Sequence, residues 1–208
     1  MGDREPLDSQ LAFVLEADRL KTVLRQSLIS DGSRRENTAE HSWHLALMAV
    51  VLAGHAPPGT DLGRVGAMVV LHDLVEIDAG DLFLYSSPAA LARQEEAERA
   101  AADRIFAILP AQQAAQVRGL WEEFEERRTP EARFARALDR LQPMLLNMQT
   151  GGGTWTLHGV TLDQVLPNLD LIEEGSASLG AYAKQMIATA VARGFLRPHG
   201  AVGRNPAG

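Results

Sequence analysis

Not one of the 208 residues of the chain is a cysteine. Disulfides and thiolate metal sites are thereby excluded, and any metal must be held by histidine, carboxylate or water. Positive charge is also short: 20 Lys and Arg against 27 Asp and Glu leave a formal net charge of −7. That balance argues against a general affinity for nucleic acid or for anionic membrane surfaces. A small phosphorylated ligand is still admissible, because a metal or a local arginine can reverse the field inside a pocket. No stretch approaches the roughly 20 apolar residues that a membrane helix needs. The polar N-terminus, MGDREPLDSQ, lacks the apolar core of a signal peptide. These absences are read as a cytoplasmic protein with neither a nucleic-acid nor a membrane partner.

Strand-like alternation and β-branched residues are scarce as well, whereas Ala, Leu, Glu and Arg dominate. The expectation is an all-α fold forming one domain over residues 1–196, with a flexible tail over 197–208. A first helix is expected from about Asp8 to Leu24, with Leu11, Val14, Leu15 and Leu20 facing inward. Ser30 to Arg35 reads as a polar loop. Asn37, with Glu40 three residues on, forms a capping-box signature for the next helix, which stops near Gly54. Asp61 caps a third helix reaching about Gly80, Ser87-Pro88 opens a fourth, and a fifth follows Pro110. Thr129-Pro130-Glu131 opens a sixth, in which Pro143 predicts a kink. Residues 150–161 (TGGGTWTLHGVT) read as a glycine-rich loop or short hairpin, and 162–196 as one or two final helices.

Chemistry concentrates around His72 and Asp73, set in the apolar run Met68, Val69, Val70, Leu71, Leu74, Val75. Burying two adjacent ionisable groups there is costly without a partner, and a metal satisfies imidazole and carboxylate together. Glu76, four residues after His72 on a continuing helix, shares its face. With Asp78 and Asp81 this makes four carboxylates and an imidazole within ten residues, with no basic residue among them. A cation relieves the repulsion. His41 shares a stripe with Leu45 and Met48, and Asp139 lies between Leu138 and Leu141. Each alone is more often a satisfied core group than a ligand, Asp139 with Arg136 and Arg140 as salt-bridge partners, but together they complete an N2O2 donor set.

The segments NTAEHSWHLAL (37–47), HDLVEIDAGDL (72–82) and LWEEFEERRTPEARFARALDRLQ (120–142) resemble the successive motifs of the HD-domain superfamily. The similarity runs from about Leu20 to Thr150. It is strongest to the branch holding the bacterial 5′-deoxynucleotidases and their eukaryotic HD-domain relatives. The resemblance implies a helical HD bundle with His41, His72, Asp73 and Asp139 as metal ligands, Glu76 as the catalytic carboxylate and Asp81 as a substrate contact. RLKTVLRQ (19–26) resembles the motif that ends in the family's phosphate-contacting arginine, which maps that role onto Arg25; Arg34 is a further candidate. The characterised bacterial enzymes carry a tryptophan after that arginine, whereas this chain has Gln26, so selection of deoxyribose is open. The family also implies a homodimer.

Dinuclear relatives need extra histidines between the HD pair and the last aspartate. None occurs between residues 73 and 139, so one divalent ion per chain is expected, be it Mn, Co, Fe, Mg or Zn. Four protein ligands leave room for water and a phosphate oxygen if the ion is five- or six-coordinate. The leading reading is hydrolysis of (deoxy)nucleoside 5′-monophosphates. The alternatives are the same site acting on another nucleotide or small phosphoester, and a non-catalytic metal-binding or sensing helical module. Trp43 turns away from the ligand stripe and reads as core or subunit contact. His44, His55, His158 and His199 read as structural or exposed. Gly151 to Gly153 lack the lysine of a phosphate loop, and Glu122 to Glu126 read as a solvated helix end.

Overall fold

Helices dominate the structure, a computed structural model that describes residues 6–198. They are α1 (Pro6–Asp18), α2 (Thr38–Val51), α3 (Leu62–Leu71), α4 (Glu76–Ala79), α5 (Pro88–Phe106), α6 (Ala111–Glu126), α7 (Pro130–Gln149), α8 (Gly153–His158), α9 (Leu162–Gly175) and α10 (Ala177–Ala192). Between α1 and α2 a 3-10 turn (Arg19–Thr22) leads into a two-stranded antiparallel ribbon, β1 (Leu24–Leu28) and β2 (Arg35–Asn37). Among the described residues no helix is long and apolar enough to cross a membrane.

Helix α7 is the spine. Ala132, Phe134, Ala135, Ala137, Leu138, Leu141 and Met144 are buried along it, and α2, α3, α6, α8, α9 and α10 all pack on it. Its start is set by Thr129, whose side chain accepts from the Ala132 N–H ahead of Pro130, and it runs on through Pro143 as one helix. The apolar interior forms two clusters. The larger gathers Leu45, Met68, Val69, Phe124, Leu138 and Trp155, and the smaller joins Leu20, Leu74, Val75, Ile105, Phe106 and Trp121. The chain crosses from one to the other between Val69 and Leu74. His72 and Asp73 therefore sit at a seam.

Several elements differ from the sequence expectation. Helix α1 ends at Asp18, and Leu11, Val14 and Leu15 are exposed rather than inward-facing. The phase that counts is Phe13, Ala17 and Leu20, spaced four and three apart, which packs on the smaller cluster. Residues 24–28 are a strand because Val23 turns extended and its carbonyl accepts the Thr38 N–H at 3.0 Å. The HD helix is not continuous: α3 stops at Leu71, residues 72–75 form a turn, and α4 restarts at Glu76. Residues 153–158 form a helix, not a loop or hairpin, launched by three successive glycines of positive φ. Arg197, assigned to the tail, is tied down: its N–H donates to the Val160 carbonyl at 3.1 Å and its carbonyl accepts from Leu162 at 2.9 Å. The rest of the expected tail, 199–208 with His199, lies outside the described residues.

Gly175 lets α9 lie directly on α7. A Cβ there would sit 2.7 Å from the Ala137 Cβ and closer still to the Arg133 carbonyl oxygen. Gly175→Ala is expected to destabilise the fold by about 1–3 kcal/mol, the usual cost of overpacking. A urea titration reads this as a lowered midpoint; an unchanged midpoint would mean that the two helices do not approach this closely.

Candidate functional site

Three segments distant in sequence bring four donor groups together. The capping box at the start of α2 is formed: Asn37 Oδ1 accepts from the Glu40 N–H at 2.9 Å, and Glu40 Oε2 accepts from the Asn37 N–H at 3.1 Å. It fixes the helix start so that His41, fully buried, falls one turn in on the stripe of Leu45 and Met48. The turn after α3 presents His72 and Asp73, and α7 presents Asp139. His72 Nε2 lies 3.1 Å from Asp73 Oδ2 and 3.8 Å from Asp139 Oδ1. His41 Nε2 lies 3.2 Å from Asp139 Oδ1 and 3.8 Å from Asp73 Oδ2.

Hydrogen bonds on the far sides of both rings assign their tautomers. His72 Nδ1–H donates to the Val69 carbonyl at 3.0 Å, leaving Nε2 buried and without an aligned hydrogen-bond partner. The Gln142 amide donates from Nε2 to Glu36 Oε1 at 2.7 Å, so its Oε1 faces His41 Nδ1 at 3.1 Å and must accept from it. Each ring thus turns an Nε2 lone pair toward carboxylate oxygens. His41, His72 and Asp73 offer ligand atoms that lie within 4.8 Å of one another, a group that could hold a metal ion, and Asp139 Oδ1 lies beside both rings; imidazoles and carboxylates together suit a divalent metal. The residues present fit such an ion.

A proton is the alternative occupant. Burial pushes His41 down to about 4, helped by Arg25. Burial also works against a charged His72, yet Asp73 and Asp139 overcome it and raise His72 to about 10. Burial opposes ionisation of both aspartates. His72 and Arg25 beside Asp73, and Arg140 with the two rings beside Asp139, hold both carboxyls well below the usual range.

Around this cluster lies a cavity of about 210 Å³. Arg25 is not at a helix end but on β1, with NH1 2.9 Å from Asp73 Oδ2, 3.7 Å from Asp81 and 3.9 Å from Glu76, and Nε 3.9 Å from Glu36. Glu76 Oε2 accepts from the Thr38 hydroxyl at 2.9 Å; burial, with Asp73 adding repulsion, holds its carboxyl well above the normal range. Asp81 accepts from the Gln26 backbone N–H and is raised by burial. Arg34 does not reach the cavity. It is exposed and forks onto Glu40 at 2.7 and 2.8 Å, because the loop before β2 directs it to the outer side of the capping box.

Sequence reasoning passes over Glu36, Thr38 and Gln142, and reads Arg136 and Arg140 only as ion-pair partners of Asp139. Gln142 and Arg136 stand three residues to either side of Asp139, so helical spacing alone puts them on its face. Glu36, on a three-residue strand, carries no such signal. Glu125 is exposed, as expected, and also accepts from Arg136 at 2.9 Å at the cavity wall. Trp43 is 66% exposed, which overturns core packing. His44 accepts from Gln142 at 3.2 Å, His55 pairs with Ser178 at 2.9 Å, and His158 stacks on Phe83 with ring centres 4.4 Å apart.

Because metal and proton compete for His72 Nε2, metal binding between pH 6 and 8 is expected to release close to one proton per ion. Affinity should then rise about tenfold per pH unit below the folded-state value. Calorimetry in buffers of different ionisation heat measures the release; none at pH 7 would show that His72 is already neutral.

A model of the HD domain matches residues 17–178. A predicted metal-dependent phosphohydrolase from Magnetospirillum magnetotacticum MS-1, whose crystal structure is solved, is 54% identical to this chain, with a TM-score of 0.89 over 93% of this chain and 96% of that one. Two curated relatives are the 5′-deoxynucleotidase HDDC2 of Xenopus laevis, 29% identical over 66% of this chain and 67% of its own length, and that of Homo sapiens, 28% identical over 66% of each. A protein of Pyrococcus horikoshii OT3, 23% identical with a TM-score of 0.61 over 88% of this chain and 99% of its own, shares the fold. The family match spans well over half of the chain and takes in every segment that meets at the buried cluster, and the chain belongs to the HD domain family.

Proposed function

We propose that this chain is a metal-dependent phosphohydrolase that removes the 5′-phosphate from nucleoside 5′-monophosphates, with one divalent ion held by His41, His72, Asp73 and Asp139. The observation that carries the reading is the pair of buried Nε2 atoms set against Asp73 and Asp139, with a protonatable carboxyl alongside. Its support from relatives is the 5′-deoxynucleotidase activity named for the HDDC2 proteins and the likeness to the predicted metal-dependent phosphohydrolase of Magnetospirillum magnetotacticum.

Bound there, a divalent ion lowers the pKa of water and neutralises charge building on phosphoryl oxygens. The protein's own part is positioning and proton transfer. With Oε2 of Glu76 engaged by Thr38, Oε1 is left as the atom that takes a proton from the attacking water or returns one to the leaving oxygen. Burial and Asp73 bring that carboxyl upward from its ordinary range, toward where acid–base work at neutral pH is efficient. Arg25 clamps Asp73 and Asp81 together, so the ligand and the expected substrate contact move as one unit. Gln26, which also lines the cavity, offers an amide where an indole would exclude polar groups, and both ribo- and deoxyribonucleotides are expected as substrates.

The protein is further proposed to be a homodimer. The exposed stripe Trp43, Leu47, Val50 and Val51 on α2 supports a second copy as its cover.

The test strips the protein of metal, restores single divalent ions and measures phosphate release from ribo- and deoxyribonucleoside monophosphates. Release with at least one ion is expected, and none with any ion would sink the reading. Glu76→Gln should lower turnover by about 10²–10⁴-fold, the usual share of a positioned acid–base group, without altering metal content. Unchanged turnover would remove Glu76 from the mechanism.

A further inference from the structure

Three arginines line the cavity, and two of them are already committed. Arg25 faces four carboxylates, the nearest being Asp73 at 2.9 Å. Arg136 donates to Glu125 at 2.9 Å and to Asp139 at 3.3 Å, and its guanidinium lies 4.1 Å from the centre of the Phe124 ring. Arg140 differs. Its Nε is buried without a hydrogen-bond partner, as are those of Arg25 and Arg136, but only for Arg140 does no group among the described residues accept a hydrogen bond from the rest of the guanidinium. The carboxylate within 4 Å is Asp139, at 3.8 Å from Nε. Its side chain is 22% exposed, so the guanidinium is partly withdrawn from water without a hydrogen-bonded counter-charge among the described residues. Burial and the neighbouring Arg136 and Arg25 also make it a less comfortable cation than an exposed arginine.

A phosphomonoester entering this cavity brings about two negative charges at neutral pH into a wall that already holds Asp73, Glu76, Asp81, Asp139, Glu98 and Glu125. Arg25 and Arg136 already donate to carboxylates of that wall, Arg25 to Asp73 and Arg136 to Glu125 and Asp139, so a phosphoryl group competes there with existing ion pairs. Arg140 has its donors available, and it follows Asp139 directly on α7, beside the metal cluster. A guanidinium fork matches two phosphoryl oxygens.

We propose that Arg140 is a phosphate-binding residue, its guanidinium donating to the phosphoryl oxygens of the substrate and of the inorganic phosphate released. This rests on the reading of the cavity as a phosphohydrolase site and adds to it a cation that supplements the metal. The competing role is purely structural: Arg140 would hold Asp139 in place, and its loss would act on the metal.

The two roles separate by calorimetric titration of inorganic phosphate into manganese-loaded protein, alongside titration of manganese into the metal-free protein. Arg140→Met is expected to weaken phosphate binding about 10- to 100-fold, as for loss of hydrogen bonds to a charged group, with manganese affinity kept within about twofold of the wild type. Arg140→Lys should recover part of the loss, since it restores the charge but not the fork. Weakened manganese binding with unaltered phosphate affinity at saturating manganese would overturn the inference, as would a wild type that binds no phosphate. If the methionine variant does not fold, the wild type decides: phosphate should protect Arg140 from phenylglyoxal, mapped by mass spectrometry, and unprotected labelling overturns the inference. Wild-type protein that hydrolyses nucleotides while binding phosphate independently of Arg140 refutes this inference alone. Arg140-dependent phosphate binding without hydrolysis refutes the functional reading alone.

Discussion

Two imidazoles and two carboxylates, all drawn from water and turned toward one another, impose the constraint that the remainder of the structure answers. His41 Nε2 and Asp139 Oδ1 stand 3.2 Å apart, and His72 Nε2 and Asp73 Oδ2 3.1 Å apart. Each of these atoms carries a lone pair into the same small volume. A protein interior tolerates that only around a positive charge, whether a metal ion or, in its place, a proton on His72. The hydrogen bonds to the Val69 carbonyl and to Gln142 work in the same direction, since they hold the ring protons on Nδ1 and leave Nε2 free.

The fold supplies three segments to that point by ordinary means. A capping box sets where α2 begins and hence where His41 falls. The break between α3 and α4 comes where the chain leaves the larger apolar cluster for the smaller, so the HD pair occupies a seam, with the His72 ring centre 4.6 Å from that of Phe124 in the larger cluster. Helix α7 spans the larger core and carries Arg136, Asp139, Arg140 and Gln142 within two turns, so one rigid element positions a proposed ligand, two cations and the amide that steers His41. The β-ribbon swings Arg25 over the cluster, where it ties Asp73 to Asp81.

Much of this was legible from residue patterns. The Asn37–Glu40 spacing marks the start of α2, and the stripe through Leu45 and Met48 places His41 inside. The HD pair within an apolar run calls for a partner, and proline and threonine punctuate α7. The failures have physical causes. In α1 two helical phases are both apolar, and the one carrying Phe13, Ala17 and Leu20 takes the buried side, leaving Leu11, Val14 and Leu15 outside. The strand at 24–28 depends on pairing with residues seven to thirteen positions away, which local propensity does not register. Continuity through residues 72–75 follows from the hydrophobic run but ignores the switch between clusters. Arg34 and Arg35 look alike in sequence; only the ribbon decides that Arg34 turns out to Glu40 while Arg35 Nε turns to the Arg25 carbonyl. Glu36 and its bond to Gln142 join residues 106 positions apart, and no spacing rule reaches that far.

The central claim is that the cluster is built for one divalent ion. Metal content per chain, measured by inductively coupled plasma mass spectrometry after manganese loading and gel filtration, tests it most directly. One ion per chain in the wild type, lost in Asp139→Asn and kept in the exposed-site control Arg34→Ala, is the predicted result. Two ions per chain, none, or one that persists without Asp139 would contradict it.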